Sequence, residues 1–293
     1  MLVIAGPAST ELGNRVASLL GVDVVDVFHK VFPDGETYVR IEGNVDGETV
    51  AIVQTLAPPQ DTNLLQLLLL ADAAKDLGAR RVIAVVPYLA YARQDKRFLP
   101  GEAISINTVI KLIEAAGVDR LITVNIHELD ILKRFKIQAE NLSAMKLLAQ
   151  HFLEKGLKGA FALAPDQGAL IHAKEADEVL GGGHGWIYKE RDRITGEIRV
   201  SVEETFDVSG KDVLIIDDII STGGTVAAAA RIAREQGARR VYAACAHPLL
   251  VGNARQRISE AGCLGVVGTD CIPGPEALVS VAPIIAEALR NEL

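Results

Sequence analysis

Aromatic residues are scarce, at 4% of the 293 positions, while hydrophobic residues reach 49%. A core without aromatic bulk must be built from Val, Ile, Leu and Ala, the composition of buried parallel sheets covered by helices. Basic residues are also few, 30 Lys and Arg against 38 Asp and Glu for a net charge of −8. That balance argues against a nucleic-acid or anionic-membrane binder, which relies on broad positive potential. Any phosphate must therefore be met by local donors. Long apolar runs are absent too: the greasiest stretch, Leu64 to Ala71, is broken by Gln66 and is far short of the ~20 residues of a membrane span. It reads as a buried helix. Met1 to Thr10 lacks a basic n-region and looks like a first strand, so a cytoplasmic protein is expected. Cysteine is limited to Cys245, Cys263 and Cys271 without a CxxC pair, giving neither a zinc pattern nor a disulfide framework.

What is abundant is alternation. Short aliphatic runs at Leu2 to Ala5, Val50 to Val53, Val82 to Val86, Leu121 to Val124, Ala160 to Ala164, Val213 to Ile216, Val241 to Ala244 and Gly265 to Val267 alternate with helical patterns. Parallel strands with helical crossovers follow, hence an α/β class. The length exceeds a typical single domain, and Gly78-Ala-Arg-Arg-Val82 recurs as Gly237-Ala-Arg-Arg-Val241, each after a helix and before a strand. Two similar domains are expected, 1–142 and 143–293, with Asn141 and Ser143 as caps for the next helix. A final helix near 282–293 would pack back on the first domain. Ligands in such sheets lie beyond the carboxyl ends of the strands, so the residues following each aliphatic run are the ones to inspect.

The most informative of these is the stretch Val213-Leu-Ile-Ile-Asp217-Asp218-Ile-Ile-Ser221-Thr222-Gly223-Gly224-Thr225, which leads into an Ala-rich helix. Ser221, Thr222 and Thr225 supply hydroxyls, Gly223 and Gly224 admit close backbone N–H groups, and a helix N-terminus adds positive potential. Together they suit a phosphate monoester. Asp217 and Asp218 would accept from a sugar diol. No Walker-type GxxxxGK[ST] is present, so a nucleotide site would be built differently. Phe32-Pro-Asp34-Gly35-Glu36 offers a ring for purine stacking and carboxylates for an exocyclic amine. Pro87-Tyr88 through Arg93-Gln94-Asp95-Lys96-Arg97 places guanidinium and ammonium donors beyond a strand, where they suit polyphosphate oxygens.

The Asp217 to Thr225 string resembles the binding motif of the type I phosphoribosyltransferase fold, shared by phosphoribosyltransferases and ribose-phosphate diphosphokinases. That motif alone leaves both open, as well as a non-catalytic synthase-associated subunit. The two first-half segments resemble the ATP motifs of the diphosphokinase family. The resemblance implies two tandem type I phosphoribosyltransferase-like domains, each a mostly parallel sheet flanked by helices. It further implies transfer of the β,γ-diphosphoryl group of ATP to the C1 hydroxyl of ribose 5-phosphate, giving 5-phosphoribosyl 1-diphosphate and AMP.

In that family's pattern Phe32, Asp34, Gly35 and Glu36 hold the adenine end, and Arg93, Gln94 and Lys96 take ribose and phosphates. His127 and Asp166 are associated with Mg²⁺, and Lys189 and Arg191 act from a catalytic loop, Arg191 also joining Asp217, Asp218 and the Ser221 to Thr225 loop in binding ribose 5-phosphate. The resemblance implies a homo-oligomer whose ATP site is shared across a subunit interface. One departure stands out: Asp166-Gln167-Gly168 continues with Ala169 and His172 where the family often has a second Gly and an Arg.

Overall fold

The structure, a computed structural model, describes residues 1–187 and 207–293 in full. Between them it describes only the backbone of Tyr188–Arg191 and Ile198–Ser201. The chain divides into two compact units. The first comprises Met1–Ser143, Cys271–Pro273 and Ser280–Leu293; the second comprises Ala144–Asp270 and Gly274–Val279.

In the first unit the order is β1 (Leu2–Ala5), α1 (Thr10–Leu20), β2 (Val24–Val25), β3 (Val27–Val31), β4 (Thr37–Ile41), β5 (Thr49–Val53), α2 (Gln60–Asp76), β6 (Arg81–Val86), α3 (Ser105–Ala115), β7 (Arg120–Val124) and β8 (Gln138–Leu142). The sheet runs β2-β1-β5-β6-β7-β8. Its strands are parallel throughout.

The second unit follows with α4 (Met145–Glu154), β9 (Phe161–Ala164), α5 (Leu170–Leu180), β10 (His184–Trp186), β11 (Tyr188–Arg191), β12 (Ile198–Ser201), β13 (Asp212–Ile220), α6 (Gly224–Glu235), β14 (Arg240–Pro248), α7 (Ala254–Glu260), β15 (Val266–Thr269) and β16 (Ala277–Val279). Its parallel sheet runs β10-β9-β13-β14-β15-β16. A last helix, α8 (Ala282–Leu289), packs on α1 in the first unit.

The two sheets have one topology. Each interrupts it at the same place with an antiparallel hairpin, β3–β4 in the first unit and β11–β12 in the second. Even the turns agree. The amide of Gly47 donates to the Gly78 carbonyl at 2.9 Å, and that of Gly210 to Gly237 at 2.9 Å. Gly78 and Gly237 both have positive φ, 89° and 84°, as the helix-to-strand turn requires of a residue without a Cβ. The repeated Gly-Ala-Arg-Arg-Val is thus one turn used twice.

Both faces of these sheets are buried, which explains the near-continuous aliphatic strands. Side chains alternate along β13: Val213 and Ile215 join Ala227 and Ala230 of α6, while Leu214 and Ile216 join Leu148 and Phe152 of α4.

Three local expectations need correction. Asn141 does not cap the next helix: it lies in β8 and its Oδ1 accepts from the Ile126 amide at 2.7 Å, while α4 begins after Ala144 without a side-chain cap. The strand carrying Asp217 and Asp218 runs on to Ile220, because β14 pairs with it that far. The leucine-rich stretch is helical, but its leucines spread beyond one stripe. Leu67 and Leu70 are buried, whereas Leu65 and Leu69 are 47% and 37% exposed.

Candidate active site

In the second unit the Gly-rich turn sits between β13 and α6. Gly223 caps the helix in the left-handed region at φ 73°, and no side chain caps the first helical amides. A Cβ there would stand 3.0 Å from Ile258 and 3.1 Å from the Ala254 carbonyl, so glycine is required by space as well as by φ. Gly224 has no such constraint. The carbonyls of the turn are engaged from behind: Val251 donates to Ser221 at 3.0 Å and Arg257 Nη1 to Thr222 at 2.9 Å. With its carbonyls held back and its amides uncapped, the turn presents donors at the positive end of α6. Arg257 has no motif of its own, and no feature of the sequence pointed to it.

The two carboxylates precede this turn. Asp218 is buried, and its Oδ1 accepts from the Ile219 amide at 2.8 Å, while Asp217 Oδ1 accepts from the Asp218 amide at 2.9 Å. Burial pushes the Asp217 carboxyl well above the usual carboxylate range, and the neighbouring charges of Asp218 and Asp166 push it further. Asp166 therefore belongs to the same cluster. It lies just past β9, where its Oδ1 accepts from the Ala169 amide at 3.3 Å. The departure at Ala169 is accommodated by packing: its methyl is buried in the cluster under α4 and α5.

The first unit places the other candidates on three loops. Phe32 to Glu36 is the tip of the β3–β4 hairpin, closed by Phe32 N–H to the Glu36 carbonyl and Gly35 N–H to the Phe32 carbonyl, both 2.8 Å. Asp34 accepts from the Glu36 amide at 3.2 Å, and Gly35 has φ 98°. Phe32 is 37% exposed, with Lys30 Nζ 4.3 Å from its ring centroid.

The second loop follows β6. Tyr88, Leu89, Ala90 and Ala92 are buried, Arg93 and Lys96 are exposed, and Gln94 is half-buried with its Nε2 donating to the Lys96 carbonyl at 3.2 Å. His127, on the third, is exposed beyond the end of β7. These last two loops are tied together, because Arg134 Nη1 donates to the Asp95 carbonyl at 2.8 Å.

Lys189 and Arg191 stand on β11, whose partners on β12 are Val200 and Ile198. Their side chains lie outside the described residues.

Among the described residues no three His, Cys, Asp or Glu side chains converge into a metal cage. Such a cage is not what Mg²⁺ needs: it takes one or two carboxylates and completes its shell with waters and phosphate oxygens. The donor chemistry at Asp166 fits, since its carboxylate is an oxygen ligand and a cation there would offset the Asp218 and Asp166 charges that add to burial at Asp217. His127 offers nitrogen, which suits a hydrogen bond to metal-bound water better than direct ligation.

Known proteins resemble this chain in sequence and in fold. Residues 1–117 match the family described as the N-terminal domain of ribose phosphate pyrophosphokinase, and residues 134–267 match the phosphoribosyl transferase domain. The ribose-phosphate pyrophosphokinase of Saccharolobus solfataricus is 42% identical over 93% of this chain and 93% of its own length. That of Methanopyrus kandleri is 42% identical over 99% of each. The crystal structure of phosphoribosylpyrophosphate synthetase from Mycobacterium smegmatis agrees with a TM-score of 0.87 at 33% identity, covering 99% of this chain and 97% of that one. Both halves of the chain are thus accounted for together, and the chain belongs to the ribose-phosphate pyrophosphokinase family.

Proposed function

We propose that the Ser221 to Thr225 turn holds the 5-phosphate of ribose 5-phosphate and that Asp217 and Asp218 take its hydroxyls, while Phe32, Asp34, Gly35, Glu36, Arg93, Gln94 and Lys96 hold ATP. The observation that carries this reading is the uncapped amide turn at Gly223 directly after an acidic pair, a cradle with donors for a phosphate beside acceptors for a diol.

The anomeric oxygen attacks the β-phosphorus in line. An O–Pβ bond forms, the bond from Pβ to the α,β-bridging oxygen breaks, AMP leaves with that oxygen, and the anomeric proton passes to solvent. Phosphoryl transfer asks little covalent chemistry of side chains, so positioning and charge stabilisation dominate. Lys189 and Arg191 are assigned to neutralise the oxygens of the transferring diphosphoryl group. Asp166 would hold Mg²⁺, with His127 placed to hydrogen-bond a water of the ion, and the ion would supply further charge neutralisation. Exclusion of water suppresses hydrolysis of ATP.

No helix among the described residues is long and apolar enough to cross a membrane. We place the enzyme in the cytoplasm as a homo-oligomer whose ATP site is completed by a neighbouring subunit; the exposed Phe28, Val31 and Phe32 of the hairpin suit such a contact.

The test is to incubate the protein with Mg²⁺, ATP and ribose 5-phosphate and follow AMP and 5-phosphoribosyl 1-diphosphate. Equimolar formation of both is expected, and a chain that forms neither is not a diphosphokinase. Lys189→Ala should lower kcat by about a hundred- to a thousand-fold, the scale of one lost contact to developing charge, with an unchanged melting temperature.

A further inference from the structure

Tyr91 has φ 67°, a left-handed backbone that residues with a Cβ seldom adopt. It stands where the loop after β6 changes character. Before it, Tyr88, Leu89 and Ala90 are buried, and the Tyr88 carbonyl accepts from the Leu56 amide at 3.0 Å. After it come Arg93, Gln94 and Lys96, and the Gln94 amide closes a turn onto the Tyr91 carbonyl at 3.1 Å. The Tyr91 hydroxyl donates to Asp61 Oδ1, in the first turn of α2.

This partner is well placed. Asp61 rides on a helix of 17 residues whose buried face includes Leu67, Leu70 and Ala74, and a carboxylate in a first turn is favoured by the helix dipole. The far end of the same segment is held by Arg134, which donates to the Asp95 carbonyl at 2.8 Å and to Asn107 Oδ1 at 3.1 Å. The cationic segment is thus fastened at both sides to regular elements and their flanking turns, although its Arg93 and Lys96 side chains are exposed.

We propose that the Tyr91–Asp61 hydrogen bond is a positioning device for the reaction: it holds the loop in its left-handed turn so that Arg93, Gln94 and Lys96 face the nucleotide together. It rests on the assignment of that loop to ATP. A donor set held in advance binds polyphosphate without first giving up its conformational freedom. Arg93 and Lys96, with long exposed stems, gain most from such ordering.

The test compares Tyr91→Phe, Asp61→Ala, Asp61→Asn, the Tyr91→Phe/Asp61→Ala double variant and Lys96→Ala, with KM for each substrate and melting temperature measured for all. Tyr91→Phe and Asp61→Ala should each raise KM for ATP roughly ten-fold, the loss of one hydrogen bond to a charged group. KM for ribose 5-phosphate should not move. The double variant should be no worse than either single one, and Asp61→Asn, which keeps an acceptor oxygen, should restore most of the affinity. An unchanged KM for ATP in Tyr91→Phe beside a raised one in Lys96→Ala overturns the tether alone. No rise in Lys96→Ala overturns the loop assignment and the tether with it. A fall in melting temperature with both KM values rising together overturns positioning in favour of a structural role, and so does an additive double variant.

Discussion

Asp212 is 4% exposed and accepts from Arg239 Nε at 2.9 Å and Arg240 Nε at 2.9 Å, so the second copy of the repeated turn ends in a carboxylate held by two guanidinium groups. Those bonds keep its carboxyl far below the usual range despite burial. In the first copy the same place is taken by Thr49, which accepts from Arg80 Nη2 at 3.0 Å, and Arg81 turns instead to Glu292 at 2.7 Å. The sequence shows both arginine pairs as one motif; their partners, distant in the chain, cannot be read from it. Asp212→Asn should cost about 2 kcal/mol at neutral pH, less than a fully enclosed pair because the arginines reach solvent. The folded state keeps Asp212 ionised to lower pH than the unfolded chain does. Its contribution is therefore complete above about pH 4, the unfolded value, and is lost as pH falls below it. Urea denaturation across that range should show wild type and variant converging as the pH drops. Parallel curves would mean that the ion pair contributes no pH-dependent stability.

The elements were legible wherever burial on both faces forced an aliphatic run, because such strands carry their own signal: each run at Leu2, Val50, Val82, Leu121, Ala160, Val213, Val241 and Gly265 coincides with a parallel strand. The apolar pattern understates β13, since Asp217 and Asp218 break it while the backbone pairing continues to Ile220. The pairing of β3 with β4 leaves no such signal, because β3 is mostly exposed and has no apolar face to announce it. At the site, residue types were legible and supports were not: Gly223 could be read as a close backbone approach, but Ile258, Ala254 and Arg257 behind it come from α7. Gly223→Ala meets both penalties, a left-handed φ and contacts near 3.0 Å. A loss of about 1 to 3 kcal/mol in stability is expected, with a weaker grip on ribose 5-phosphate. Gly224→Ala, with room for a methyl, should keep wild-type stability. Calorimetry and substrate titration of the pair separate the role of backbone shape from that of glycine content.

One topology used twice does not make two equal sites. After β13 the chain opens into the cradle at Gly223, whereas after β5 the corresponding space is filled by the protein's own side chains. Gln54 accepts from the Ala8 amide at 3.0 Å and donates to Asn63 and Gln66 at 3.3 and 3.2 Å, and the Thr55 hydroxyl donates to the Cys271 carbonyl at 2.6 Å. A Cβ on Gly6 would stand 2.3 Å from Gln54 Oε1, so the Gln54 amide packs directly against the backbone after β1. Among the described residues the cradle is thus seen in the second unit, and the proposed ATP segments lie on the loops and the hairpin of the first. If those ATP segments serve a neighbour's cradle, two inactive variants must be able to repair each other. Phe32→Ala chains carry an intact β11 strand, and Lys189→Ala chains carry an intact hairpin. Co-refolded in equal amounts with random pairing, they should recover about a quarter of wild-type activity, since one site in four then draws both intact parts from different chains. Activity no higher than that of the separate variants would place hairpin and Lys189 of one chain at one site and remove the need for a partner.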